Sequence, residues 1–113
     1  MDLAEISDRL EIADVVTRYT RAIDTGDWDR LDTVFTPDAD IDYVQSGGIH
    51  DTYAVVKPWL AEMLPAFFPK RMHTIGQVEV PWVAGADELQ CVAYFDNAVP
   101  MSDGQGGEKI VEV

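Results

Sequence analysis

The sequence predicts an α+β fold. Three observations carry this. Helical spacing of apolar residues is confined to the chain up to Leu64, alternating β-branched and aromatic residues fill the chain after His73, and no strand–helix–strand alternation runs through it. Helices gathered early and antiparallel strands gathered late are the mark of α+β, not of a doubly wound sheet.

Residues 3–24 read as the first helix, because Ile12, Val16, Tyr19 or Thr20, and Ile23 share one face. Ser7 or Asp8 can cap it, with Asp8 and Glu11 in capping-box spacing. Gly26 suits a left-handed terminus. Asp27 caps a second helix over 27–35, with Trp28, Leu31 and Phe35 as one apolar stripe, and Thr36-Pro37-Asp38 stops it. Residues 39–45 alternate as a strand with Ile41 and Tyr43 on one face, and Ser46-Gly47-Gly48 turns.

Val56, Leu60, Met63 and Leu64 predict a helix over 52–64, kinked at Pro58 or starting there, and ended by Pro65 and Pro69. His73–Val83 and Leu89–Val99 are strands about a turn at 85–88. The second puts Cys91, Ala93 and Phe95 on one face and Val92, Tyr94 and Asp96 on the other. Residues 101–108 are glycine-rich and expected to be mobile, and Lys109–Val113 opens a last strand expected to be incompletely paired. With 113 residues, the chain suffices for one domain over 1–113.

A net charge of −13 argues against nucleic acid and anionic membrane as partners, since phosphates are repelled. The single cysteine, Cys91, cannot form an internal disulfide. The start, Met-Asp-Leu-Ala-Glu-Ile, lacks the basic and long apolar regions of a secretory signal, so the cytoplasm is the expected compartment. Asp38, Asp40 and Asp42 invite a metal reading. Alternation puts Asp40 and Asp42 on one face, and a solvated acidic edge that discourages strand pairing is the better account. His50 falls in a glycine-flanked loop.

The stretch from Arg18 to Leu31, Arg-Tyr-Thr-Arg-Ala-Ile-Asp-Thr-Gly-Asp-Trp-Asp-Arg-Leu, is continued by Phe35-Thr36-Pro37-Asp38-Ala39 and by Ile41-Asp42-Tyr43. Met72-His73-Thr74-Ile75-Gly76 opens a strand. Together these resemble the SnoaL-like branch of the nuclear transport factor 2-like superfamily, nearest to scytalone dehydratase and the bile-acid dehydratases. The resemblance implies a curved antiparallel sheet wrapped into a cone by the helices and enclosing a pocket. It implies a homodimer or homotrimer and a hydrophobic small-molecule substrate. It also implies two more strands after Val113, so the chain is expected to be shortened or to have lost part of its pocket wall.

The resemblance carries catalytic roles to Tyr19, Asp24 and His73, and a carbonyl-polarising role to Tyr43. The second histidine of scytalone dehydratase falls on Met101 here, and its later-strand asparagine finds no counterpart.

The chemistry of these side chains is consistent with that set. Histidine moves protons near neutral pH, and a carboxylate on one ring nitrogen leaves the other free as a base. A tyrosine hydroxyl can donate to a carbonyl oxygen as charge develops there. Abstraction of a proton α to a carbonyl, then loss of a β-hydroxyl as water, needs no metal or cofactor. A plainer reading stands beside each residue. His73 can be a strand-start histidine bonded to backbone, Asp24 a turn former, and Tyr19 and Tyr43 core. Yet a carboxylate at a helix C-terminus meets an unfavourable dipole, which suggests a purpose for Asp24 beyond the turn. Tyr19 lies about 140° around the helix from Asp24, so it reaches a shared cavity only from the flank. Phe67-Phe68 between prolines can line the cavity or form a lid over it. The expected function is a cofactor-independent dehydratase-type lyase or isomerase; a polyketide-type cyclase and a non-catalytic binding or assembly domain are the alternatives.

Overall fold

In the computed structural model, which describes residues 1–102 and 108–112, α1 spans Leu3–Thr25. It starts earlier than Ser7 or Asp8, because Asp2 is extended and its Oδ1 accepts the Glu5 N–H at 2.9 Å. Asp8 lies inside the helix, where Oδ2 accepts the Trp82 indole N–H at 2.9 Å. Gly26 ends α1 at φ 70°, its N–H reaching back to the Ala22 and Ile23 carbonyls. A side chain is strained at that φ, so glycine is what permits the turn.

The second helix is not α-helical. Trp28–Thr33 is a 3₁₀ turn, closed by i→i+3 bonds such as Arg30 N–H to Asp27 O at 3.1 Å. A segment pinned between Gly26 and Pro37 is too short to repay α-helix nucleation. It still buries Leu31 completely.

The first strand, β1 (Asp40–Asp42), is shorter than expected and pairs antiparallel with β2 (His50–Thr52). His50 is therefore on a strand and not in a loop, exposed, with Nε2 2.9 Å from Asp40 Oδ1. Between the strands, Val44–Ser46 is a 3₁₀ turn ended by Gly47 at φ 82°.

The helix α2 (Tyr53–Phe67) runs through both Pro58 and Pro65. Both prolines are on its exposed side. The opposite side buries Tyr53, Val56 and Leu60 in the core with Ala22, Ile23, Leu31 and Ile41. That burial outweighs the hydrogen bonds the prolines cannot donate.

Among the described residues, three antiparallel two-stranded sheets follow from the pairing of β1 with β2, β3 (Thr74–Glu79) with β4 (Val92–Asp96), and β5 (Ala98–Ser102) with β6 (Glu108–Glu112). The α+β class holds, but the described strands do not join into one continuous cone-shaped sheet. The expected strand 89–99 breaks into β4 and β5 at Asn97, which is buried. A bulge between Ile75 and Val78 keeps both on the face of Phe95 and Ala93, although they are three positions apart. Residues 103–107, the middle of the stretch expected to be mobile, lie outside the described residues. β6 pairs with β5 from Ala98↔Glu112 to Ser102↔Glu108, so on that edge its pairing is complete.

One surface network fastens the 3₁₀ turn to α2. Tyr53 Oη donates to Asp32 Oδ1 at 2.5 Å, and Lys57 Nζ donates to Asp29 at 2.8 Å and Asp32 at 3.0 Å. The Tyr53 hydrogen bond, then that of Lys57, holds the Asp32 carboxyl below its usual range. A folded-state pKa below the unfolded one gives stability that is full above the unfolded value and lost as pH falls through the folded value. Asp32→Asn is therefore expected to flatten the acid limb of the stability profile below about pH 4. Urea midpoints at pH 7 and in acid check this, and an acid limb as steep as wild type counts against it.

Candidate functional site

The end of α1 and the start of β3 meet at one point. His73 Nδ1 lies 2.6 Å from Asp24 Oδ1, and the His73 backbone N–H donates to Asp24 Oδ2 at 2.8 Å. A carboxylate only accepts, so Nδ1 carries the ring proton and Nε2 is the acceptor position. Both side chains are largely buried, His73 at 13% and Asp24 at 9% exposure. Phe95 stands edge-on to the imidazole, with ring centroids 5.9 Å apart. The backbone bond fixes Asp24 independently of the ring.

Tyr19 and Tyr43 meet at a second point, their hydroxyls 2.5 Å apart. Burial raises both phenols above their ordinary range, Tyr43 strongly, and the Asp24 charge adds to the rise at Tyr19. Both hydroxyls stay protonated at neutral pH. One proton is used between them, and the other is left for a third partner.

A cavity of about 610 Å³ opens between these points. Tyr19, Tyr43 and His73 line it, with an apolar wall of Trp59, Leu64, Phe67 and Phe95. Asp24 does not line it and stands behind His73, which it contacts. This suits a hydrophobic ligand with one polar end. Phe67 and Phe68, weighed above as lining or lid, are part of the wall.

Arg71 and Asn97 also line the cavity and were missed from sequence. Arg71 carried one signal, its place two residues before His73. Asn97 carried only a polar residue inside an apolar alternation.

Gly48 forms the cavity edge by close approach. A Cβ there would lie 2.7 Å from Tyr43 Cβ and 2.8 Å from the Trp59 ring. Gly48→Ala is expected to displace Trp59 or Tyr43 and narrow the cavity. Weaker binding of a hydrophobic dye and an altered near-ultraviolet tryptophan signal check this; unchanged dye binding counts against it.

Among the described residues no helix is long and apolar enough to cross a membrane. The chain matches the SnoaL-like domain family over residues 4–112. It is 48% identical over 80 residues to an uncharacterized protein of Mycobacterium tuberculosis, a stretch covering 71% of this chain and 54% of that relative. An uncharacterized protein of Mycobacterium bovis matches with the same identity and coverage. The chain thus spans about half the length of the curated relatives it matches. No solved structure matches it.

Proposed function

This chain belongs to the SnoaL-like family of the nuclear transport factor 2-like superfamily, and from that premise we propose that it is a cofactor-independent lyase or isomerase of dehydratase type, acting on a hydrophobic carbonyl compound. The observation that carries the proposal is the 2.6 Å contact of His73 with Asp24 at the wall of an apolar cavity that also holds the Tyr19–Tyr43 hydroxyl pair.

In the proposed reaction, His73 Nε2 takes the proton α to the substrate carbonyl. Asp24 holds the ring in the Nδ1–H tautomer and balances the imidazolium charge. The free proton of the tyrosine pair meets the carbonyl oxygen as it becomes an enolate. The enolate re-forms the carbonyl and expels the β-hydroxyl, which leaves as water with the proton from His73. The products are an α,β-unsaturated carbonyl and water, and the base is restored. Returning the proton to another carbon makes the same site an isomerase. Family membership keeps a polyketide-type cyclase as the second reading, since an aldol step begins with the same enolate.

The test is proton exchange. Hydrophobic ketones and thioesters incubated with the protein in heavy water are expected to gain deuterium at the α-carbon, and to lose that gain with His73→Ala. Binding without exchange across the panel would overturn the enzyme proposal in favour of a ligand-binding domain.

Self-association as a dimer or trimer and action in the cytoplasm belong to the same proposal. Val92 and Tyr94, at 51% and 64% exposure, leave apolar surface on β4 that a second copy could cover. Sedimentation at micromolar concentration is expected to show a dimer or trimer; a monomer would remove that part.

A further inference from the structure

The last turn of α1 contains Asp24 and no basic residue. A helix C-terminus already carries partial negative charge on its free carbonyls, so this end is electrostatically unfavourable as its own sequence stands. The missing cation comes from far along the chain. Arg71 Nε donates to the Ile23 carbonyl at 2.8 Å, and Nη1 donates to the Phe68 carbonyl at 2.8 Å. The guanidinium carbon lies 5.5 Å from the centre of the Trp28 ring. Nη2 lies 3.5 Å from where a Cβ on Gly26 would stand. The corner that turns the chain after α1 is thus also a seat for this guanidinium: one carbonyl, one aromatic face, and a glycine that leaves room.

Both ends of the link between Arg71 and Ile23 bear directly on the site. The Ile23 carbonyl belongs to the peptide that leads into Asp24. Arg71 itself is two residues before His73 on the segment that enters β3. We propose that Arg71 is a positioning residue, a clamp that sets the Asp24 carboxylate against the His73 ring and holds that ring in its Nδ1–H tautomer. The inference rests on Asp24 and His73 being the acid–base pair.

Three physical features support the clamp. The fork of a guanidinium reaches two carbonyls on different elements at once, which an ammonium cannot do with the same rigidity. Its positive charge is attracted to the Asp24 carboxylate, the group that accepts from the His73 ring and backbone. Burial pulls the guanidinium below its ordinary value while attraction to Asp24 pulls the other way, as expected for a cation partly removed from water beside that carboxylate. The bond to Phe68 also fixes the end of the aromatic wall.

The test uses the free protein labelled with ¹⁵N-histidine. The chain has two histidines, so His50 serves as an internal control. At about pH 8, above the ordinary histidine range, the His73 ring of the wild type is expected to show the Nδ1–H pattern. Arg71→Met is expected to lose it for a mixture of tautomers, with the His50 signals unmoved. Arg71→Lys keeps the charge but not the fork, and is expected to restore the pattern in part. Circular dichroism establishes that each variant is folded. A folded Arg71→Met with a wild-type His73 pattern overturns the proposal. Should the methionine variant fail to fold, the lysine variant decides, and a full wild-type pattern there overturns the proposal equally. No substrate enters this measurement. A catalytically inert protein with a displaced His73 tautomer in Arg71→Met therefore refutes the enzyme proposal alone, and an active enzyme with an unmoved tautomer refutes the clamp alone.

Discussion

His73→Ala and Asp24→Asn are each expected to lower turnover by about 10²–10⁴-fold while leaving the protein folded. The alanine variant removes the proposed base. The asparagine variant keeps the shape and can still accept the His73 backbone N–H that Asp24 Oδ2 now accepts. Its effect is on the ring. An amide NH₂ facing Nδ1 donates where the carboxylate accepted, so the ring proton moves to Nε2 and the position facing substrate becomes a donor. A base in the wrong tautomer cannot take a proton. Both positions are largely buried, but neither belongs to the core cluster around Leu31 and Val56. Steady-state rates on any substrate found by the exchange screen, with thermal melts alongside, check the expectation. Turnover within a few-fold of wild type for either variant would remove the dyad from the mechanism.

Leu31→Ala is expected to cost about 2–5 kcal/mol of stability. Leu31 has no exposure and sits in the 3₁₀ turn between α1 and α2, among Ala22, Ile23, Tyr53, Val56 and Leu60. The cavity it would leave cannot easily close. Gly26 fixes one end of the turn, and Arg18 Nη1 holds the other through the Thr33 carbonyl at 2.8 Å. Domains of this size have about 5–15 kcal/mol in all, so the variant stands near the edge of folding. A lower urea midpoint with an unchanged slope checks it. A loss under about 1 kcal/mol would mean that the site relaxes or that the core is not packed as described.

The sequence alone determined what depends on neighbours along the chain. The first helix and its stop at Gly26 followed from apolar spacing and from a backbone angle that glycine tolerates. The faces of β4 followed from alternation, with Phe95 against Tyr19 and His73 and Tyr94 outward. Residue chemistry together with the family motif was enough to single out Tyr19, Asp24, Tyr43 and His73 as candidates.

Only the tertiary structure decided the rest. Whether 28–33 is α or 3₁₀, whether α2 passes Pro58 and Pro65, and where strand 89–99 breaks are outcomes of packing, in which burial outweighs weak local preferences. The contact of Asp24 with His73 joins residues separated by 49 positions, and the Arg71 seat at Ile23 by 48. Nothing in the local sequence of α1 signals that its last turn is neutralised by an arginine from the approach to β3. Charges pair through space, and the chain encodes that distance only by folding.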